Sequence, residues 1–333
     1  MLGGFLALLA AATFAFNNAT LRRGVLTGTP AQAMAITVPL GVPFFLLGTA
    51  AAGALALLPA FTALETLSLC AAGLVHFIWG RYCNYRATKA IGANLVAPVQ
   101  QFSMVFALGL AIWFLGEVLT PLRMLGILLV VIGPAITFRQ GSPRAVPGGT
   151  APETARPSVP AFEPRYGEGY LFAFLSASGY GTSPVLVRLA IEGKGLGGGL
   201  AAGVVSYTAA TVLILLFMLL PGRLAHVRAI SGESAKWFTI SGVLVCVSQM
   251  FTYMAMAIAP VTVVMPIQRL SLVFRIYCAK LITPDHEVFG PGIVLGTVVS
   301  LAGAVLLSLS TEAVLGWLSL SPETEALLRW RWP

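Results

Sequence analysis

The sequence predicts an all-α, polytopic membrane protein with ten transmembrane helices arranged as two inverted five-helix repeats. Composition decides the environment, because 57% of the residues are apolar, only 10% are charged and the mean hydropathy is +0.88. One soluble core of this length cannot accommodate so much apolar surface. The internal repeat is visible directly, since the segment from Tyr85 to Phe106 aligns without a gap with the segment from Tyr253 to Phe274.

Ten stretches are apolar and long enough to cross a bilayer, which takes about 20 residues. In chain order they are 2–21, 33–58, 66–88, 94–115, 122–138, 168–190, 200–220, 236–258, 262–282 and 292–310. Five of them fall in each repeat. Because an odd number of spans ends on the opposite side of the membrane, the second copy is expected to enter it upside down. Such inverted repeats are typical of transporters, and their interface commonly holds the substrate.

The first repeat is expected to cover 1–138 and the second 168–310. Between them, 139–167 switches to Pro, Gly, Ala and charged residues without an apolar period, which predicts a disordered linker. After the last helix, 311–333 combines Trp and Arg residues, a composition that predicts an interfacial C-terminal tail.

The two copies share further positions on either side of this segment. Glu117, Gly126 and Gly133 recur with the same spacing after a two-residue insertion, and Gly4 to Arg23 lies over Gly169 to Arg188. The repeated motif therefore consists, in the two copies, of Pro98, Glu117, Gly126 and Gly133, and of Pro266, Glu287, Gly296 and Gly303.

This motif resembles that of the drug/metabolite transporter superfamily, of the EamA-like ten-helix permease kind. The resemblance extends over essentially the whole chain outside the linker and implies a transporter. It does not specify the substrate, because the superfamily moves amino acids, amines, nucleotide sugars, phosphorylated sugars and other metabolites on one scaffold.

Most motif residues are expected to serve structure. Glu117 and Glu287 precede helices 5 and 10 and are expected to complement their positive N-termini. The four motif glycines should allow close helix contact. Pro98 and Pro266 each remove a backbone donor within a helix, so both are predicted to kink it and to act as hinges.

Charged residues give the sharper prediction about a site. All carboxylates fall in predicted loops, termini or helix edges, whereas Arg269 and Arg275 lie inside predicted helix 9. A central Arg costs at least about 2.5 kcal/mol to insert, so it should face the interior and find a partner. With no acid at that depth, the partner is expected to be an anionic substrate, although snorkelling or bonding to carbonyl groups remains the alternative.

Other polar residues extend this candidate substrate site. Gln268, Ser271 and Arg275 share one helical stripe, and Gln100 with Ser103 repeats it in helix 4. Arg81 and Tyr85 share a face of helix 3, where an Arg fork and a phenol can bind a carboxylate or phosphate. Asn17 stands in helix 1, where small multidrug resistance proteins of the superfamily carry an acid. His76 is expected to pack with a hydrogen bond rather than to relay protons.

These residues favour a secondary active transporter of a small anionic or zwitterionic metabolite, working by alternating access. The alternatives are a flippase for a phosphorylated lipid and a non-transporting membrane protein on the same scaffold. The chain shows no paired carboxylates, metal-ligand cluster or nucleophile with a base, so it is not expected to be an enzyme. No cofactor, metal or ATP-binding motif is expected, and the dispersed basic residues argue against nucleic acid.

The remaining expectations concern the surroundings. Membrane lipids and a metabolite are the expected partners, with a monomer or homodimer as the assembly. Sixteen Arg against four Lys, with much Ala and Gly, favours a GC-rich bacterium and hence a multi-pass protein of the bacterial inner membrane. The distribution of positive charge predicts both termini outside the cytoplasm, whereas the family resemblance predicts cytoplasmic termini, so orientation stays open.

Overall fold

The structure is a computed structural model that describes residues 2–115, 120–141, 163–259, 264, 267–283, 287, 288, 290–308 and 325. Within these residues the chain is helical and contains no strand, so the predicted all-α fold is confirmed. The first half, up to residue 141, forms α1 (Leu2–Thr27), α2 (Pro30–Thr37), α3 (Gly41–Ala51), a 3₁₀ turn (Leu55–Leu57), α4 (Ala63–Gly73), a π-helical segment (Leu74–Gly80), α5 (Arg81–Val99), α6 (Phe102–Leu115) and α7 (Pro121–Gly141).

The second half, from residue 163, forms α8 (Tyr166–Ile191), α9 (Gly195–Met218), the short α10 (Arg223–Arg228), α11 (Gly232–Ile258), α12 (Ser271–Ile282) and α13 (Pro291–Ser308). Five described stretches are long and apolar enough to cross a membrane: Leu2–Thr27, Pro30–Ala51, Ala63–Val99, Gly195–Met218 and Gly232–Ile258. Shorter apolar helices occupy Pro121–Thr137 and Pro291–Leu307. The protein is therefore a polytopic membrane protein. Residues 142–162 of the predicted linker, and the predicted C-terminal tail apart from residue 325, lie outside the described residues.

Predicted helices 2 and 3 each begin three residues earlier than expected, because capping boxes start them. The side chain of Thr29 accepts from the Gln32 amide, and Gln32 returns a bond to the Thr29 amide; Thr62 and Glu65 form the same motif. Predicted helix 2 is not continuous as expected but breaks between α2 and α3. The break contains Pro39, which lacks the backbone donor that a continuous helix needs.

The chain reverses between predicted helices 3 and 4 within α5. Gly92 has φ 81° and ψ 162°, a backbone conformation essentially restricted to glycine. Shortly afterwards the helix is interrupted again, because α5 ends at Val99 and α6 begins at Phe102. This interruption follows Pro98 directly, where the sequence predicts a kink. The role of Pro98 as a hinge stays a prediction, and Pro266 lies outside the described residues.

The motif glycines bring α7 and α13 into backbone contact. A Cβ added to Gly126 would lie 3.0 Å from the Gly303 carbonyl oxygen, and one added to Gly133 would lie 2.6 Å from the Gly296 oxygen. The converse approaches are 2.7 Å from a Cβ at Gly303 to the Gly126 oxygen and 2.6 Å from one at Gly296 to the Gly133 oxygen. The predicted close helix contact is confirmed. Because the numbering rises along α7 as it falls along α13, these two helices are antiparallel.

Helices α3 and α9 also contact each other antiparallel. They belong to predicted helices 2 and 7, which are equivalent in the two repeats. A Cβ on Gly41 would collide with the Tyr207 ring, and a Cβ on Gly203 would collide with the Phe45 ring. The paired positions again run in opposite directions along the chain. Two pairs of helices at equivalent places in the two halves therefore contact each other antiparallel.

Gly133→Ala should destabilise the protein by about 1–3 kcal/mol, the usual cost of overpacking. Its Cβ would collide with Ser300 Oγ and the Gly296 carbonyl, and a backbone atom in a packed helix cannot move aside cheaply. Thermal unfolding in detergent measures the effect. Gly109→Ala is the matched control, since no atom lies within 4 Å of the added methyl. Equal unfolding temperatures for the two variants would contradict the described crossing.

Candidate functional site

A cavity of about 110 Å³ with both polar and apolar walls lies between helices of the two halves. Its wall combines α1, the π-helical segment, α8, α11 and the residues around the start of α12. The polar side chains that line it are His76, Tyr180, Ser248, Gln249, Thr252, Gln268, Arg269 and Ser271. Apolar surface is contributed mainly by Phe14, Pro184 and Met256. The structure thus brings the predicted residues Gln268, Arg269 and Ser271 together on one cavity.

Arg269 is the basic residue of this cavity, and the described lining contains no carboxylate. Its Nη2 lies 3.0 Å from Met104 Sδ, a weak acceptor, and its Nε is buried without a hydrogen-bond partner among the described residues. A guanidinium carries five donors in a fixed fork that suits carboxylate and phosphate groups. The cavity therefore has a cation in its wall whose hydrogen-bonding capacity is only partly used by the described residues.

The neighbouring Gln268 is held in place by a short chain of hydrogen bonds. Its Nε2 donates to Thr252 Oγ1 at 2.7 Å, and that hydroxyl donates to the Ser248 carbonyl at 2.9 Å. The chain links the residues before α12 to α11. It fixes the amide beside Arg269 before any ligand arrives, which reduces the entropic cost of binding.

His76 forms the opposite polar wall. Its Nδ1 lies 2.6 Å from Ser183 Oγ and its Nε2 lies 3.2 Å from Gln249 Nε2. Both ring nitrogens of His76 therefore lie within hydrogen-bond distance of a polar side chain. The sequence interpretation of His76 as a hydrogen-bonded packing residue missed that it lines the cavity. Gln249 and Thr252 were missed as well, although they stand three residues apart in the apolar C-terminal half of α11.

Arg275 does not line this cavity. It donates to the Ala93 carbonyl at 3.3 Å and to Gln100 Oε1 at 3.2 Å, and Gln100 Nε2 donates to Asn84 Oδ1 at 2.7 Å. These bonds connect α12 to α5 through protein groups. A direct contact between Arg275 or Gln100 and a substrate stays a prediction.

Asn17 and Ser103 also lie away from the cavity lining. Asn17 Oδ1 accepts from Ser241 Oγ at 2.7 Å in the contact of α1 with α11. Ser103 Oγ is buried without a hydrogen-bond partner in the part of the chain described, and the Ser103 backbone packs against Gly181 of α8. Both residues therefore belong to helix packing in this structure.

Arg81 and Tyr85 belong to a separate buried cluster beside the cavity. Arg81 donates to Tyr207 Oη at 2.9 Å and to the Thr37 carbonyl at 3.3 Å, and its guanidinium lies 4.9 Å from the centre of the Phe77 ring. Tyr85 Oη lies 3.0 Å from Thr37 Oγ1. Aromatic faces and oxygen acceptors thus satisfy the buried cation without a carboxylate.

The two other basic residues of helix 3 are also engaged. Arg86 Nε donates to Glu168 Oε1 at 2.8 Å, and Lys89 Nζ donates to the Gly28 carbonyl at 2.7 Å. Arg86 is partly exposed. These contacts attach the end of helix 3 to α8 and to the end of α1.

Glu287 occupies a position that differs from the expectation. It was expected to complement helix 10, which follows it, but it caps helix 4 in the other half. Its two oxygens accept from the Ala93 and Asn94 amides at 2.7 and 3.0 Å. A Cβ on Gly92 would lie only 2.6 Å from Glu287 Oε2, so the glycine at this reversal admits the carboxylate. The first N–H groups of a helix have no partner within it, and the carboxylate accepts from two of them here.

A buried cation accompanies this cap. Arg22 Nε is 3.6 Å from Glu287 Oε1, and neither side chain is exposed. Arg22 Nη1 also donates to the carbonyls of Thr88 and Lys89 at 2.8 and 3.2 Å. The pair therefore joins the end of helix 3 to the beginning of helix 4 across the two halves.

The second half repeats part of this arrangement. Arg188 Nη1 donates to the Met256 carbonyl at 3.0 Å, and Met256 stands where the aligned first copy has Thr88. In each half an Arg from the first helix thus bonds a carbonyl near the end of the third. Glu117, the counterpart of Glu287, lies outside the described residues.

Comparison with solved structures supports the fold. One crystal structure matches 92% of this chain and 94% of its own chain with a TM-score of 0.53, at 18% sequence identity. An identity this low shows a shared fold only. A search of curated protein sequences found no significant match.

Comparison with family models is more specific. Residues 1–139 match the model described as the EamA-like transporter family, a span that covers all five helices predicted for the first half. The resemblance to the drug/metabolite transporter superfamily is thereby confirmed. Through residues 1–139 the chain is therefore similar to the EamA-like transporter family, a family of membrane transporters of small solutes.

Proposed function

We propose that the protein is a secondary active transporter that binds a small anionic or zwitterionic metabolite in the cavity between its halves. The observation that carries this proposal is Arg269, a cation that lines a cavity with no carboxylate in its described lining. A cation removed from water carries a desolvation penalty, and an anion that binds beside it offsets that penalty. A carboxylate or phosphate group on the solute would supply that anion and accept two parallel hydrogen bonds.

The rest of the lining suits a small polar solute. Gln268 and Ser271 flank the guanidinium and can bond further oxygens of the ligand. Gln249 gives its amide nitrogen to His76 and keeps an amide oxygen, which can accept from a hydroxyl or an ammonium group. Phe14 and Tyr180 provide aromatic surface for an apolar portion. This combination favours an acid or zwitterion over a purely cationic solute.

Alternating access is proposed from the relation between the halves. Equivalent helices contact each other antiparallel at α7 with α13 and at α3 with α9, as expected for inverted repeats. The cavity takes its walls from both halves, so motion of one half against the other would change its openings. We include Pro98 and Pro266 as hinges, because the helix is interrupted just after Pro98.

The proposal extends to the surroundings of the protein. The bacterial inner membrane is the proposed location, argued from the Arg-rich and Ala-rich composition. The cavity is built within one chain, so transport needs no second subunit, and a monomer or a homodimer would serve equally.

Transport by the purified protein in liposomes tests this function. Uptake should be measured for labelled solutes in three groups: carboxylates and sugar phosphates, zwitterionic amino acids, and organic cations. We expect saturable uptake and counterflow for members of the first two groups and none for cations. Flipping of a fluorescent phosphorylated lipid without solute uptake would instead establish the flippase alternative. Inactivity towards every solute and the lipid would favour a non-transporting protein.

A further inference from the structure

A second cavity, separate from the proposed transport site, lies between α2, the π-helical segment, α9 and α10. It has a volume of about 470 Å³ and a lining that is almost entirely apolar. Leu213, Phe217 and Tyr82 line it and are 41%, 44% and 37% exposed, so the cavity opens sideways at the outer surface of α9. That surface carries several other exposed large apolar residues and suits contact with lipid chains.

The short helix α10 closes one end of this groove. His226 fixes it there, because its Nε2 lies 3.0 Å from Thr29 Oγ1 and its carbonyl accepts from Gln32 Nε2 at 2.9 Å. These bonds tie α10 to the first turn of α2. Hydrogen bonds to α2 therefore fix the helix that closes this end of the groove.

Basic charge is concentrated at this closed end. Residues 222–230 contain two Arg and one His and no Asp or Glu. Arg223 lines the groove, with its guanidinium 4.8 Å from the centre of the Phe217 ring, and no carboxylate lies within 4 Å of it in the described structure. A guanidinium above an apolar slot matches a phosphate above an acyl chain.

We propose that this groove is a binding site for an anionic phospholipid. One acyl chain lies in the slot between α2 and α9, and the phosphate is bound by Arg223, with His226 beside it. The basic segment favours a lipid of net negative charge, because a zwitterionic headgroup would bring its ammonium group towards further cations. This site is independent of the transported solute.

Lipid titration monitored by native mass spectrometry tests the proposal. The full chain in neutral detergent is titrated with phosphatidylglycerol or phosphatidylcholine carrying the same acyl chains. We expect the first phosphatidylglycerol to bind at least five-fold more tightly. Arg223→Ala should weaken that first binding about five-fold, the usual contribution of one basic residue at an anionic lipid surface. Equal affinities for the two lipids would overturn the site.

Two further variants distinguish lipid binding in the groove from lipid binding to general surface charge. Arg228→Ala removes a cation from the same helix that does not line the groove, so it should change the affinity less than two-fold. Ala35→Phe fills the slot without altering charge and should abolish the first binding event. Should Ala35→Phe fail to fold, Ala31→Phe on the same wall replaces it. Equal losses for the two Arg variants, or undiminished binding with the slot filled, would overturn the proposal.

Competition with a water-soluble headgroup shows whether the groove binds a whole lipid or only a phosphate group. Glycerol 3-phosphate should not displace the bound phosphatidylglycerol, because it lacks the chain that the slot binds. Displacement at similar concentration would show that the groove recognises only the phosphate.

Discussion

Arg269→Ala should lower kcat/KM for transport of an anionic solute by roughly 10- to 150-fold. The substitution removes hydrogen bonds to a charged group, which are worth about 1.5–3 kcal/mol. It should affect solutes with a carboxylate or phosphate far more than neutral analogues, because the lost interaction is with their charge. Initial rates of uptake into liposomes across a concentration series measure the change.

Two variants make this result specific to the guanidinium in the cavity. Arg269→Lys keeps a positive charge but loses the planar fork, so it should retain part of the activity. Arg23→Ala removes an Arg whose partner Glu233 is 3.8 Å away in a largely exposed pair, and transport should be unchanged. Unaltered uptake of every anionic substrate by Arg269→Ala would refute the proposed role of this residue.

Glu287→Ala should destabilise the protein by about 3–5 kcal/mol, the usual cost of removing one partner from a buried ion pair. The variant leaves Arg22 without its carboxylate and leaves the Ala93 and Asn94 amides without an acceptor. The loss should appear as a lower unfolding temperature in detergent. The protein contains its own reporters, because Cys83, Cys246 and Cys278 are buried and become reactive to thiol dyes on unfolding.

Neighbouring residues provide the matched control. Arg23 follows Arg22 in the sequence but forms its pair with Glu233 at the surface, where an ion pair contributes about 0–1 kcal/mol. Glu233→Ala should therefore leave the unfolding temperature nearly unchanged. Glu287→Gln should lie in between, since it retains one acceptor oxygen and the shape of the side chain. An unfolding temperature for Glu287→Ala equal to that of Glu233→Ala would contradict the buried cap.

The helices were predictable from the sequence because their signals are local. Apolar length identifies the spans, and the Thr29 and Thr62 capping boxes explain where two of them begin. The stripe that contains Gln268 and Ser271 was also predictable, because helical spacing alone places them on one face. The spacing does not account for the whole lining, because Arg269 lies outside the stripe and lines the cavity, whereas Arg275 lies on the stripe and does not.

The partners of buried charges were not predictable, because they lie far away along the chain. Glu287 accepts from Ala93 across 194 positions, and Arg81 donates to Tyr207 across 126. No local sequence pattern predicts such a long-range contact. A charge in an apolar helix therefore indicates that the residue has a partner. Only the fold shows whether that partner is an acid, an aromatic ring, a carbonyl or a ligand.

The glycine crossing of α7 and α13 restricts how the two copies of the repeat can diverge. Gly126 and Gly303 each leave room for the other's backbone, so neither copy can acquire a side chain there unless the other retreats. A substitution at either glycine therefore also affects the packing of the other copy. No such reciprocity is seen between Gln101 and its counterpart Arg269, since among the described residues Gln101 donates to Ala97 of its own segment. At this aligned pair the copies differ, and the second copy carries the cation that lines the cavity.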